Sequence, residues 1–304
     1  MPNALVGHAS TQSRSRRPLP PGAVRAETLE VYGPHERTRF YYADGHSELK
    51  MLLSWVGGQA GLLWGGGPYP PEIQGALTRY GGDVHGSYGH YHERELAEAL
   101  GKALAGIFTS NDIACRFGLI GRDALDAAAR VARAATGREM ITSYGYHGTG
   151  EAWVHPPYPV GIPREYQRLN TRFEWGDVKE MRFYSERAAA VCIEVPPLPD
   201  EEITPFLQAC RQACDEFGAI FIIDEIVTGF RFGLGGAAQR YGVKPDIACY
   251  GKTMSATGAV SAIVGRRDLL ELLDGRTFFS LTLGGRPSDC AVAAATLRWL
   301  KDHR

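Results

Sequence analysis

No run of about 18 consecutive apolar residues occurs in this 304-residue chain, so nothing in it reads as a membrane-spanning helix. Charge of one sign is also missing. Lys and Arg total 33 against 34 Asp and Glu, a net charge of −1 with no basic stripe, so nucleic acid is not an expected partner. The six cysteines stand apart at positions 115, 192, 210, 214, 249 and 290, without CxxC pairs or zinc spacing. Cys210 and Cys214 lie one helical turn apart with no His neighbour and read as small core residues. No metal is therefore expected, and the thiols suggest a reducing, cytoplasmic setting. A GxGxxG fingerprint is absent too, which argues against a dinucleotide site. The opening MPNALVGHASTQSRSRRPLPPG lacks the apolar core of a secretory signal. A disordered arm fits it better than a transit peptide, although its Arg and Ser content and lack of acids suit both.

With 44% hydrophobic residues, the chain has enough apolar surface for a real core, in one large domain or two modest ones. Arg39–Met51 reads as a hairpin turning at Asp44-Gly45, followed by a glycine-rich stretch from Ser54 to Gly67 that has no clean period. Glu93–Leu104 and Asp123–Ala135 then carry helical periodicity, the second stopped by Gly137. Short strands are expected at Met140–Ser143, Ala188–Val195, Ala219–Ile226, Asp246–Tyr250 and Val260–Val264. The last four lack polar alternation, so both of their faces should be buried, as in a parallel sheet covered by helices. Between Val195 and Ala219, Thr204 can N-cap a helix, Pro205 suits its first turn and Gly218 closes it. This alternation is α/β architecture.

Ala219–Gly265 is the most informative stretch. Its buried strand ends in Asp224 and Glu225, where α/β sheets bind ligands, although a strand-end Asp as often caps a turn or helix. A second buried strand delivers Gly251-Lys252 into a segment of small residues. A lysine so placed has no obvious solvent face. Partial burial would lower its pKa and leave a neutral amine, whose usual use is a Schiff base with an aldehyde.

These residues resemble the class III pyridoxal-phosphate aminotransferases, and within them the glutamate-1-semialdehyde aminomutase branch. Asp224-Glu225-Ile226-Val227-Thr228-Gly229-Phe230-Arg231 resembles that family's strand with the pyridine-nitrogen aspartate. Gly242–Ile247 followed by Gly251-Lys252 is similar to its approach to the cofactor lysine, and the Asp-to-Lys separation also looks like the family's. The resemblance covers most of residues 35–304. Phe117–Ala124 is similar to the phosphate turn, which implies Gly121, Arg122 and Asp123 at the cofactor phosphate. Ser or Thr is expected at position 122; an arginine there can pair with the phosphate, clash with it, or simply be solvated. Tyr144–Gly148 resembles the Tyr-His-Gly turn, which implies Tyr146 stacked on the pyridine ring with His147 beside it. Glu194, in a strand that ends Glu-Val-Pro, is a weaker match to an active-site edge. Thr282, within Phe278–Gly285, matches a loop that serves the partner subunit's phosphate in the family dimer. Ser54-Trp55 resembles a substrate-side pair of the aminomutase branch.

The resemblance thus implies an aspartate-aminotransferase-like (fold type I) large domain with a mostly parallel, seven-stranded type of sheet. Residues 1–34 would be a flexible arm, 35–90 an N-terminal segment and 91–304 the cofactor-binding domain, truncated before a C-terminal small domain. The implied cofactor is pyridoxal 5'-phosphate, with Lys252 and Asp224 as catalytic residues. The implied partners are a small amino acid or amino-aldehyde substrate and a second copy of the chain, in a homodimer with shared sites. A rival reading keeps the fold, with or without the cofactor, and loses catalysis.

Overall fold

The protein is described by a computed structural model that covers residues 69–80, 91–154, 160–256 and 260–303, with the strand backbone within 23–53. Its contacts divide it into two compact units, residues 1–70 and 71–304.

In the first unit, β1 (Ala23–Tyr32), β2 (His35–Tyr42) and β3 (Ser47–Leu53) form an antiparallel sheet in that order. Phe40 stands opposite Glu48 and Tyr41 opposite Ser47, so the expected hairpin pairing is present. Its Asp44-Gly45 turn lies outside the described residues. β1 occupies part of the stretch read as an arm, where Thr28, Val31 and Tyr32 supply strand-forming residues.

In the second unit the elements run α1 (Pro71–Tyr80), α2 (Tyr91–Ala103), β4 (Ile113–Gly118), α3 (Gly121–Thr136) and β5 (Ile141–Tyr144). There follow α4 (Arg164–Arg168), β6 (Asn170–Arg172), α5 (Val178–Ser185), β7 (Ala190–Glu194), α6 (Asp200–Phe217) and β8 (Ile220–Glu225). The chain continues through α7 (Gly236–Arg240), β9 (Ile247–Tyr250), β10 (Ser261–Arg266), α8 (Arg267–Leu270) and α9 (Pro287–His303). Seven strands form one sheet in the order β4-β10-β9-β8-β7-β5-β6. β10 is antiparallel to both neighbours; every other pairing is parallel.

The apolar strands are buried on both faces because alternate residues feed two separate cores. Cys192, Ile220, Ile222 and Cys249 pack with Leu125, Ala128 and Val131 of α3. Val191, Ile193, Phe221 and Ile223 pack with Ile203, Phe206, Leu207 and Cys210 of α6. Cys210 and Cys214 are core residues, as their spacing suggests.

Two boundaries differ from those read in the sequence. α6 begins at Asp200 rather than at a Thr204 cap, and Pro205 lies inside it. Asp200, Glu201 and Glu202 fill the first turn, where the positive end of the helix dipole favours acids. Gly218 closes α6 in the left-handed region, with φ 67°. α1, placed by the sequence in an N-terminal segment ending at 90, buries Ile73 and packs against α9 within the second unit. Pro71 at its first position and Glu72 beside it are the start signal that could have revealed it. No helix among the described residues is long and apolar enough to cross a membrane.

Candidate active site

Successive residues of a strand point to opposite faces, and this separates Asp224 from Glu225. Asp224 shares the α3 face with Cys192 and Ile222. It is buried, and its Oδ2 lies 2.8 Å from His147 Nδ1 while Oδ1 accepts from the Ile226 amide at 3.0 Å. His147 Nε2 faces the Tyr144 carbonyl at 3.1 Å. The ring is thus held at both nitrogens, between a carboxylate and a backbone carbonyl. Glu225 points the other way. It accepts from the Thr228 hydroxyl and from the amides of Ala237 (3.1 Å) and Ala238 (2.8 Å), which caps α7. The second acid of the pair is therefore structural, and burial pushes its pKa up to about 7.

Lys252 follows β9, one strand from β8, and opens a single 3-10 turn. Its φ of 41° is a left-handed conformation that a lysine rarely adopts. Burial lowers its pKa, against the charges of Asp224 and Glu194 and with that of Arg231. Lys252 is thus partly buried, and the charges of two carboxylates act on it.

Glu194 ends β7 directly opposite Asp224 in the ladder. Its Oε2 accepts from the Tyr146 amide at 2.7 Å. Gly145, with φ 106°, permits this approach, because a Cβ there would overlap the Cβ of Glu194. Burial, then the charge of Asp224, raises the Glu194 pKa. The Tyr146 ring itself is exposed, with a face open to a ligand.

The start of α3 lies near the same strand ends. A Cβ on Gly121 would stand 2.8 Å from Ile226 Cδ1, and one on Gly251 would stand 3.2 Å from that atom. Ile226 thus joins the α3 start, the end of β8 and the approach to Lys252. Asp123 turns its carboxylate back onto the amides of Leu119 and Ile120, both at 2.9 Å, and so shapes the turn. Arg122 is half-exposed, and its Nε donates to Asp126 Oδ2 at 3.1 Å. Asp126 Oδ1 accepts from Trp153 Nε1 at 2.7 Å, and the Trp153 ring edges onto His147 at 5.1 Å. The chain Arg122–Asp126–Trp153–His147 was not evident in the sequence. Asp126 and Trp153 stand 27 positions apart, and neither carries a local motif.

Thr282 lies in an exposed turn after Phe278, and a Cβ on Gly284 would stand 3.2 Å from the Phe117 carbonyl oxygen. That turn is therefore close to the strand that leads into α3. Ser54 and Trp55 lie outside the described residues. Among the described residues no group of three or more His, Cys, Asp or Glu could hold a metal ion.

Residues 200–304 match the family model of class-III aminotransferases. Among solved structures, an omega-transaminase from Sphaerobacter thermophilus is similar at a TM-score of 0.76 and 24% identity, over 98% of this chain and 70% of that one. A transaminase with PLP bound is similar at 0.70 and 25%, over 88% of this chain and 66% of that one. A beta-phenylalanine aminotransferase from Variovorax paradoxus is similar at 0.70 and 23%, over 96% and 65%. The chain therefore spans about two thirds of the length of these enzymes. It has the α/β fold of the pyridoxal-phosphate transaminases, and its last 105 residues carry the class-III aminotransferase match.

Proposed function

We propose that this chain binds pyridoxal 5'-phosphate and transfers amino groups, with Lys252 as the amine that links the cofactor and Asp224 as the partner of its ring nitrogen. The supporting observation is the placement of a partly desolvated Lys252 and the buried Asp224–His147 pair at the ends of adjacent strands. When bound, the cofactor supplies an electron-accepting ring for the substrate α-carbon. Asp224, fixed by His147 and by the Ile226 amide, holds a proton at that ring nitrogen. The uncharged amine of Lys252 is the group that can attack an aldehyde and later carry a proton to and from the α-carbon. Tyr146 offers its ring face, and Glu194 fixes the backbone that presents it. Gly121, Arg122 and Asp123 form the turn for the phosphate, at the positive end of α3. Thr282 serves the phosphate of a second copy in a homodimer, and the six free cysteines suit a cytoplasmic setting.

Incubation with pyridoxal phosphate, borohydride reduction and peptide mapping should place the phosphopyridoxyl mass on Lys252. A label on Lys244, or no uptake of the cofactor, would refute the assignment. Because burial lowers the Lys252 pKa, capture should continue to a lower pH than for an exposed lysine.

For substrate, we infer a small amino acid or amino-aldehyde bearing a carboxylate, on the aminomutase-like stretch Thr228–Gln239 and on Ser54-Trp55. Isomerisation of glutamate-1-semialdehyde without an added acceptor supports that branch. Transfer only between a separate donor and keto acid rejects it in favour of plain transamination.

A further inference from the structure

Ser261 opens β10 opposite Gly118, the last residue of β4, and the next residue, Ala262, pairs with Tyr250. Ser261 therefore lies level with Gly251-Lys252 and with the turn that leads into α3. Its side chain is fully buried, and its hydroxyl has no hydrogen-bond partner among the described residues. Buried polar groups are paired as a rule, so an orphan of this kind needs a reason. The hydroxyl stands 2.8 Å from the point that a Cβ on Gly118 would occupy, and Asp123 Cβ stands 2.7 Å from that same point. The hydroxyl and the first turn of α3 thus crowd one side of Gly118. The side chains of that turn are already engaged. Asp123 caps Leu119 and Ile120, and Arg122 pairs with Asp126, leaving the turn without a hydroxyl where one is expected. α3 has 16 residues, and its opening N–H groups favour an anion.

We propose that Ser261 donates its hydroxyl to a phosphate monoester seated at the start of α3, in place of the hydroxyl that position 122 lacks. The inference rests on the pyridoxal-phosphate reading above. It gives a partner to a fully buried hydroxyl that has none among the described residues.

The test compares wild type with Ser261→Ala and Ser261→Thr, each titrated with pyridoxal phosphate, with pyridoxal and with inorganic phosphate. Loss of one hydrogen bond to a charged group should weaken pyridoxal phosphate about 10-fold in Ser261→Ala. Pyridoxal, which has no phosphate, should bind both proteins alike, and Ser261→Thr should recover the affinity. Melting of the cofactor-free proteins supplies a second readout. Removal of an unpaired hydroxyl should leave Ser261→Ala at least as heat-stable as wild type, whereas a structural serine would lower its melting temperature. Equal weakening of both pyridoxal forms, unchanged affinity for pyridoxal phosphate, or a destabilised Ser261→Ala protein each overturns the proposal. If wild type fails to take up pyridoxal phosphate, the cofactor reading falls. The melting shift with inorganic phosphate then decides Ser261 alone, with no difference between wild type and Ser261→Ala counting against it.

Discussion

At the scale of single residues, the site depends on which face of β8 each acid occupies. Asp224 and Glu225 are neighbours in sequence, yet one meets His147 and the other caps α7. The folded pKa of Glu225 is raised from 4.5 to about 7, so the folded state holds a proton that the unfolded chain has lost. Stability should therefore fall as pH rises from about 4.5 to about 7 and then level off, by up to roughly 3 kcal/mol. Glu225→Gln keeps an acceptor oxygen for one of the two α7 amides and cannot titrate, so it should flatten this slope. Denaturant unfolding at pH 5 and pH 8 checks it; an unchanged slope would mean that Glu225 is charged throughout. Asp126 makes a complementary case. Asp126→Ala frees both the Trp153 indole and Arg122, and should loosen His147. Asp126→Asn keeps an acceptor for Trp153 and should restore any lost cofactor affinity, whereas a purely electrostatic role for Asp126 would leave Asn no better than Ala.

Helices and strands were the most legible layer, because periodicity and punctuation are local. The strands at 188, 219, 246 and 260 are readable from apolar runs that need cover on both faces, and Gly137 and Gly218 end α3 and α6 as expected. Where the structure departs from the local pattern, two local signals compete. At α6 the Thr-Pro pair suggested a start, but the three acids at 200–202 and the buried Ile203 extend the helix upstream. Pro205 thus sits, solvent-exposed, at the sixth position, where it withholds an N–H from the Glu201 carbonyl. Pro205→Ala should restore that bond at no cost in packing. Part of the gain is offset by a freer unfolded chain, so a net stabilisation of about 1 kcal/mol is expected. Thermal unfolding would show it as a rise of roughly 2–4 °C. A fall would mean that α6 begins after Pro205 in solution. Of the candidate site, the strand-end residues Asp224 and Lys252 stand out in the sequence, and the residues around them much less so. Trp153, Asp126 and Ser261 take their roles from strands and helices distant in sequence, which no spacing rule brings together.

At the scale of the whole molecule, the loop at 277–285 presents a surface that calls for cover. Phe278 is 79% exposed, Leu283 is partly exposed, and Thr282 stands in the open turn between them. Arg130 anchors the Phe278 carbonyl, and Thr277 bonds to the Leu272 carbonyl at 2.9 Å, so the loop is held at its base while its apolar tips face outward. Apolar tips on an anchored loop suit a protein surface better than water. A second copy of the chain, related by a two-fold axis, would cover both loops at once and bring each Thr282 toward the other site. Light scattering at micromolar concentration with cofactor present should give twice the chain mass. Phe278→Asp should shift the protein toward monomer and, if the sites are shared, release the cofactor with it. Thr282→Ala should stay dimeric and weaken pyridoxal phosphate while sparing pyridoxal. A cofactor-loaded monomer, or a Phe278→Asp protein that keeps both its mass and its cofactor, would show that each site is complete within one chain.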